Sequence, residues 1–575
     1  MSTQATTSHP KKPRTFLPEH LKIDSWDDLE PFFVDLKERP LKDKKDLKKW
    51  LLDLSELESV LEENAAWRYI KMSIDTTDEE KEKDYQFFVR EIQPKIAPYS
   101  NELNQKLADC PLTKELPEGK GYFIYLRKIE KEIELFREVN IPLLSEVREK
   151  AQEFGKVAGN LTIELNGKKL TMPRAGAELQ SPDRDHRKLV YEKVQDARTN
   201  VKDKLDRIFT DLVKLRSQIA KNADYKDYRD YKFDDLGRFD YTPEDCFDFH
   251  ESIRTAIKPV VETFVKERKE KLELDSVKPF DLAVDPTGKA PLKPFETAKE
   301  LVEKSIEVFN RVDPYFGECL RTMDELGYLD LESKDGKSPG GFNYPLYEVG
   351  VPFIFMNAVG TPRDMVTMMH EGGHAVHSFL SRDLQLAAFK NCPSEVAELA
   401  SMAMELLTMD HWDIFYSDPE DLKRAKKEQL QDVLSALPWI ATIDKFQHWL
   451  YENPNHTEQQ RTDAWLKIQG ELGSDVVDWS GYEEAREISW QKQLHLFEVP
   501  FYYIEYGMAQ LGAIAVWRNY EQDPIKALTD YKKALSLGYT KTIGEIYETA
   551  GIKFDFSSEY VSELADFIKS KLEKL

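Results

Sequence analysis

The chain has 575 residues, of which 41% are hydrophobic and 32% are charged, a composition that excludes a disordered or fibrous protein. A chain of this length predicts about three to four domain-sized units. Its 105 acidic and 81 basic residues give a formal net charge of −24, a field that repels a phosphate backbone and argues against nucleic acid as a partner.

The first residues are polar, and we expect neither a secretory signal nor a membrane-spanning segment. The four cysteines are far apart in the sequence and form no CxxC pair, which is typical of a protein in a reduced compartment. They are Cys110, Cys246, Cys319 and Cys392. We therefore predict a cytoplasmic protein without a membrane partner, while nothing in the pattern indicates an oligomeric state.

Most of the sequence predicts α-helix, because apolar residues recur at helical spacing among good helix formers. Two such stripes are Trp50, Leu54, Leu57 and Leu61 near the start and Val561, Leu564, Ile568 and Leu572 near the end. We predict a flexible tail at residues 1–18, an N-terminal helical lobe at 19–195 and a second domain at 196–575.

Three segments break the helical pattern. Asn166-Gly167 lies between two alternating runs and predicts a β-hairpin near residues 161–172. The proline-rich residues 278–295 predict a loop, and residues 352–357 predict a short strand within a small sheet near 340–360. That strand is either an ordinary buried strand or a sheet edge to which an extended peptide adds.

A helix is predicted to begin directly after this strand. Thr361 is a good N-cap, Pro362 suits the first helical position, and Asp364 completes a capping-box pattern. The helix should continue through the sequence HEGGH.

Within that helix, His370 and His374 are four residues apart and therefore project from the same face. Two imidazoles at this spacing can bind one zinc ion, and Glu371 can reach a water molecule beside the metal without being a ligand. The alternative is two hydrogen-bonded histidines on an amphipathic helix.

A third protein ligand is expected from the next helix, which contains PSEVAELASMAMELL. Glu395, Glu398 and Glu405 share roughly one face of this helix, so their spacing does not choose among them. Since their neighbours are apolar or small, such a carboxylate is expected to be buried and to need a partner.

The segment HLFEVPFYYIEY, residues 495–506, concentrates a histidine and three tyrosines. Such a segment is most often an aromatic core, although imidazole and phenol groups could also donate to the oxyanion that forms during attack on a peptide carbonyl. The other histidines are scattered and have no predicted role; they are His9, His20, His186, His250, His411, His448 and His456.

Together, the HEGGHAVH motif, the VAELASMAMELL helix and HLFEVPFYYIEY resemble the oligoendopeptidase F branch of the thimet oligopeptidase family of zinc metallopeptidases. The similarity extends over roughly residues 161–517. It implies one Zn²⁺ held by His370, His374 and Glu398, with Glu371 as general base. Gly372 departs from the family, whose members often carry a larger residue there.

The resemblance also implies roles for other residues. His377 and Glu405 would support the metal ligands. The alternatives are that His377 is an ordinary hydrogen-bonded helix histidine and that Glu405 is a surface acid. His495, Tyr503 and Tyr506 would contact the substrate and the transition state, with Tyr502 as an alternative to its neighbour Tyr503.

The resemblance implies a mostly α fold with two helical lobes around a deep substrate channel and a small β-sheet beside the HExxH helix. It implies an endopeptidase that hydrolyses short, unstructured oligopeptides. A carboxypeptidase or dipeptidase with the same zinc site, a non-catalytic peptide-binding protein and a structural zinc site are the alternatives. The general base Glu371 argues against a mere binder, and the absence of cysteine from HEGGH argues against a structural site.

Overall fold

The structure, a computed structural model, describes residues 13–117, 119–334, 336–338 and 340–575. It is mostly helical with two small sheets, which confirms the predicted mostly α class. The helices are α1 Glu30–Glu38, α2 Lys44–Ile74, α3 Glu79–Phe87, α4 Gln93–Ala108, α5 Tyr122–Leu135, α6 Asn140–Gly159, α7 Met172–Glu178, α8 Arg184–Thr199, α9 Lys202–Asn222, α10 Tyr228–Asp235, α11 Pro243–Ser252, α12 Lys258–Lys271, α13 Ala298–Val312, α14 Pro314–Glu325, α15 Pro362–Ser381, α16 Ala387–Lys390, α17 Ser394–Leu407, α18 Pro419–Glu452, α19 Glu458–Leu472, α20 Glu483–Glu487, α21 Leu494–Glu498, α22 Tyr503–Gln522, α23 Pro524–Leu535, α24 Ile543–Thr549 and α25 Ser558–Leu572. The strands are β1 Thr162–Leu165, β2 Lys168–Thr171, β3 Leu329–Glu332, β4 Phe342–Tyr344 and β5 Phe353–Ala358. Among the described residues, every helix is too short or too polar to cross a membrane.

The chain forms two compact units, each assembled from separate stretches of sequence. The first contains the described residues up to Ile141 together with Lys293–Pro419 and Gly512–Phe554; the second contains Pro142–Leu292, Glu420–Leu511 and Asp555–Leu575. The boundary predicted at residue 195 stays a prediction.

The predicted tail at residues 1–18 falls partly on residues 1–12, which lie outside the described residues. In the part that is described, the Glu56 carboxylate of α2 accepts the backbone N–H groups of Thr15, Phe16 and Leu17 at 2.8, 3.0 and 2.8 Å. Leu17 is buried in the core of the first unit. Residues 15–17 are therefore held against α2, because an apolar side chain and a multiple acceptor anchor them.

The two predicted apolar stripes are buried, except that Leu572 at the end of the second is only partly buried. Trp50 and Leu57 of α2 and Val561 and Ile568 of α25 are all 0% exposed. These residues recur at i, i+3 and i+4, so each helix packs one continuous face against its unit.

Strands β1 and β2 form an antiparallel hairpin around Asn166 and Gly167. Both turn residues have positive φ, 52° and 74°. Glycine adopts such a backbone without strain and asparagine tolerates it, which is why this pair closes a two-residue hairpin.

The second sheet has the order β3-β5-β4, with β5 parallel to β3 and antiparallel to β4. The hypothesis that residues 352–357 form a free edge is therefore wrong, because β5 is the central strand and both of its sides are already paired. Phe353, Ile354 and Phe355 are buried, as expected for an inner strand. Strand β5 ends at Ala358, three residues before the N-cap of α15, and so positions the start of that helix.

Candidate metal centre

Helix α15 begins as its sequence predicts. The Thr361 hydroxyl accepts the backbone N–H of Asp364 at 3.3 Å, and the Asp364 carboxylate accepts the backbone N–H of Thr361 at 2.9 Å. Pro362 occupies the first turn. This reciprocal cap fixes where the helix begins, and hence which face His370 and His374 share.

Two adjacent glycines allow α15 to pack tightly. A Cβ atom at Gly373 would lie 2.6 Å from both the carbonyl oxygen of Ala400 and Cα of Ser401, which are backbone atoms of α17. A Cβ at Gly372 would overlap the ring of Phe309 in α13. The departure at Gly372 is therefore matched by a large neighbour that occupies the space of its missing side chain.

Close packing of α15 and α17 brings the predicted ligands together. Oε2 of Glu398 lies 3.2 Å from Nε2 of His370 and 3.6 Å from Nε2 of His374. Ligand atoms of all three residues lie within 4.8 Å of one another. Of the three glutamates that spacing left open, Glu398 is the one in this group. Two imidazole nitrogens and a carboxylate oxygen are the donor set expected of a catalytic zinc site.

Two of the candidate metal ligands, His370 and Glu398, have hydrogen-bond partners outside the ligand group. Nδ1 of His370 lies 2.7 Å from Oε1 of Glu405, so an Nδ1–H donates to that carboxylate, and Nε2 is the nitrogen that faces Glu398 and could bind a metal. The hydroxyl of Ser401 lies 3.0 Å from both Oε2 and the backbone carbonyl oxygen of Glu398, so it can donate to either of them. Sequence reasoning missed Ser401; its only signal is a serine three residues after Glu398 on an apolar helix.

Without a cation, the buried carboxylates of Glu398 and Glu405 affect the protonation of the two neighbouring histidines. Burial disfavours protonation of His370, but Glu398 and Glu405 outweigh it and hold the pKa of this imidazole well above its ordinary value. Burial lowers the pKa of His374 to about 4, so this ring is neutral at pH 7. A divalent cation beside the three ligand atoms would stabilise the neutral imidazoles and the carboxylate together, so the residues present fit zinc.

Glu371 is buried, 6% exposed, next to this group. Its Oε2 has no hydrogen-bond partner among the described residues, and its backbone carbonyl accepts Nδ2 of Asn343 in β4 at 3.2 Å. Burial raises the pKa of Glu371 to about 7, because the charge of His370, which lowers this pKa, is outweighed by burial and by the charges of Glu398 and Glu405. A carboxylate with an unoccupied oxygen and a pKa near neutrality is suited to accept and release a proton.

His377 is buried on α15, and its Nε2 lies 3.5 Å from Sγ of Cys392. Burial lowers the pKa of His377 to about 3, so the ring is neutral. Its predicted support of the metal ligands stays a prediction.

In the second unit, the rings of residues 495–506 form a cluster. The His495 ring centroid lies 6.0, 4.6 and 5.6 Å from those of Tyr502, Tyr503 and Tyr506. Nε2 of Gln493 donates to Nδ1 of His495 at 2.6 Å, which leaves the proton on Nε2. Both neighbouring tyrosines are part of this cluster, so it does not choose between Tyr502 and Tyr503.

Comparison with known proteins identifies the family. Residues 177–566 match peptidase family M3, and residues 16–136 match the peptidase M3 N-terminal domain. The chain belongs to peptidase family M3. The second match includes part of this M3 chain in which sequence analysis found no motif of the family.

Relatives of this M3 family member place it in the oligoendopeptidase F branch, which confirms the resemblance. Oligopeptidase PepF of Bacillus subtilis (strain 168) is 22% identical over 401 residues, 69% of this chain and 58% of that protein. The chromosomal oligoendopeptidase F of Lactococcus lactis subsp. cremoris is 23% identical over 408 residues, 71% of this chain and 66% of that protein. The chain thus spans less than two thirds of the length of these curated relatives.

Among solved structures, PZ peptidase A with an inhibitor is 27% identical, with a TM-score of 0.91. The similarity covers 96% of this chain and 97% of that one. Almost the whole M3 fold is therefore shared.

Proposed function

We propose that this chain is a zinc-dependent endopeptidase that hydrolyses short, unstructured oligopeptides. The observation that carries the proposal is the convergence of His370 Nε2 and His374 Nε2 on one oxygen of Glu398, at 3.2 and 3.6 Å. Family membership supports peptide-bond hydrolysis as the chemistry.

In this proposal His370, His374 and Glu398 hold one Zn²⁺. When bound, the metal supplies a Lewis acid that polarises the scissile carbonyl and makes a water molecule acidic enough to lose a proton near pH 7. Glu405 keeps the Nδ1–H tautomer of His370, and the Ser401 hydroxyl holds the Glu398 carboxylate in place when its proton points to Oε2 rather than to the backbone carbonyl.

Glu371 acts as the general base. It takes the proton of the attacking water and delivers it to the leaving amine, a role supported by its burial and by the lack of a partner for Oε2 among the described residues. A peptide-binding protein without catalysis has no need of such a group.

The substrate class is supported by the relatives, whose names are oligopeptidase and oligoendopeptidase. Cleavage within the peptide, rather than at its end, distinguishes the proposal from a carboxypeptidase or dipeptidase.

The test is an assay on a short fluorogenic peptide blocked at both ends, combined with metal analysis of the protein. We expect cleavage at an internal bond, loss of activity with a chelator and recovery with Zn²⁺. Activity that persists in the metal-free protein would refute the zinc site, whereas release of single residues from unblocked peptides alone would favour an exopeptidase. Efficient digestion of a folded protein would contradict the restriction to short substrates.

A further inference from the structure

The second compact unit contains another group of side chains that could bind a metal ion. Helix α11 contains Cys246 and His250, and helix α18 contains Asp444 and His448. Each pair is four residues apart, so each presents both members on one face of its helix. This is the spacing that His370 and His374 use in α15.

The two pairs meet. Nε2 of His250 lies 2.8 Å from Oδ2 of Asp444, and Nε2 of His448 lies 3.3 Å from the same oxygen. Ligand atoms of Cys246, Asp444 and His448 lie within 4.8 Å of one another. A thiol, a carboxylate and one imidazole thus surround one point, and the second imidazole, that of His250, donates to the carboxylate.

The side chains of this group are buried, and several of their polar atoms lack hydrogen-bond partners among the described residues. Exposure is 0% for Cys246 and Asp444, 3% for His250 and 2% for His448. Within the described residues, Nδ1 of His250, Oδ1 of Asp444 and both ring nitrogens of His448 have no hydrogen-bond partner, since the 3.3 Å approach of His448 to Asp444 lacks hydrogen-bond geometry.

Aromatic rings lie beside this group. The ring centroids of Phe247 and Phe501 lie 4.7 and 5.4 Å from that of His448. Burying several unsatisfied polar atoms and a carboxylate in an aromatic environment is costly unless a further group binds them.

The geometry points to a second metal site in which Cys246, Asp444 and His448 bind one zinc ion, while His250 holds the Asp444 carboxylate in place by a hydrogen bond. A thiolate and a carboxylate bring two negative charges and the imidazoles none, so a divalent cation makes the buried group neutral. The second group includes a cysteine, a ligand common in structural zinc sites, whereas the HExxH group contains no sulfur. The ion would bind α11 to α18 and stabilise the second unit.

The first test is the absorption spectrum of the full-length protein loaded with Co²⁺. A cobalt–thiolate bond gives an intense charge-transfer band in the near ultraviolet, which the His370–His374–Glu398 group cannot produce because it contains no sulfur. We expect this band in the unmodified protein and its loss in Cys246→Ser. Cys392→Ser, the matched control beside His377, should keep the band.

The second test counts metal ions after zinc loading and removal of the excess. We expect two zinc ions per unmodified chain and one in either Glu398→Gln or His448→Gln. His448→Gln should also lower the thermal midpoint of the zinc-loaded protein, and added zinc should not restore it. One zinc ion per unmodified chain, or a cobalt-loaded protein without the thiolate band, would overturn the second site and leave the proposed peptidase untouched.

Discussion

Glu371 illustrates how much of the proposed chemistry depends on a single oxygen. Changing it to glutamine preserves the shape of the side chain and removes its basicity. General-base catalysis is worth about 10²- to 10⁴-fold, so we expect kcat of Glu371→Gln to fall by about that factor. Zinc content, measured on the same preparation, should not change, because Glu371 is not in the ligand group. A variant with near-normal turnover would show that another residue accepts the proton.

Glu405 is proposed to act through His370. Since its carboxylate orients the imidazole and fixes its tautomer, Glu405→Gln should weaken zinc binding by about 10- to 100-fold. Competition with a chelator of known affinity measures this. Glu395→Gln is the matched control, a buried glutamate of the same helix that lies outside the ligand group, and it should bind zinc normally. Equal affinities in the two variants would leave Glu405 without the proposed role.

The roles of His495, Tyr503 and Tyr506 depend on the family resemblance, and Tyr502 and Tyr503 are both in the ring cluster. If Tyr503 donates to the oxyanion, Tyr503→Phe should lower kcat by about 10²- to 10³-fold with a smaller change in KM. Tyr502→Phe is the matched control. A large fall of kcat in Tyr502→Phe, with little change in Tyr503→Phe, would assign the role to Tyr502.

At the scale of the element, the metal centre requires that α15 and α17 approach closely. Gly373→Ala would place Cβ 2.6 Å from the backbone of α17, and helix backbone cannot yield as the tip of a side chain can. We expect a loss of stability of about 1 to 3 kcal/mol, as for other overpacked cores, together with weaker zinc binding.

Gly544→Ala in α24 is the matched control, since an added Cβ there meets nothing within 4 Å. It should be neutral or slightly stabilising, because alanine is the better helix former. Chemical unfolding of both variants and zinc titration measure the two effects. Unchanged zinc affinity in Gly373→Ala would mean that the ligand geometry tolerates a shift between the helices.

The start of α15 could be predicted from sequence because its cap and its ligand spacing are local. The spacing alone could not select Glu398, since three glutamates share a face of α17; the family resemblance selected it, and the packing of α17 against α15 gives the physical reason. The central position of β5 was missed for a similar reason. A run of apolar residues predicts a strand, but its neighbours, β3 and β4, are set by pairing that local pattern does not encode.

At the scale of the whole molecule, distance along the chain limited what sequence could predict. His250 and Asp444 are 194 residues apart and meet in a unit assembled from three stretches. No local motif links CFDFH to DKFQH, so the proposed second metal site was invisible before the structure, whereas HEGGH was recognisable within a single helix.

Acid stability of the molecule should depend on buried ion pairs, of which Asp281 is the clearest case. It is 0% exposed and accepts Nη2 of Arg187 at 2.8 Å, Nη2 of Arg184 at 2.8 Å and the backbone N–H of Lys278 at 3.0 Å. Although burial opposes ionisation, these donors outweigh it and hold the pKa of Asp281 below its ordinary value of 3.8.

Because the folded-state pKa of Asp281 is depressed, its stabilising contribution is fully present above the ordinary pKa and is lost as pH falls through the lower, folded-state value. Asp281→Asn leaves Arg187 buried without its charge partner, so we expect a loss of about 3 to 5 kcal/mol at neutral pH. The difference in free energy of unfolding between Asp281→Asn and the unmodified protein should become smaller only below about pH 4. Urea unfolding across this pH range measures it, and Asp566→Asn, which removes an exposed pair with Lys569, should cost at most about 1 kcal/mol at any pH. If this difference in free energy of unfolding stayed constant down to the pH of acid unfolding, the carboxylate would stabilise the fold through its shape and hydrogen bonds rather than through its charge.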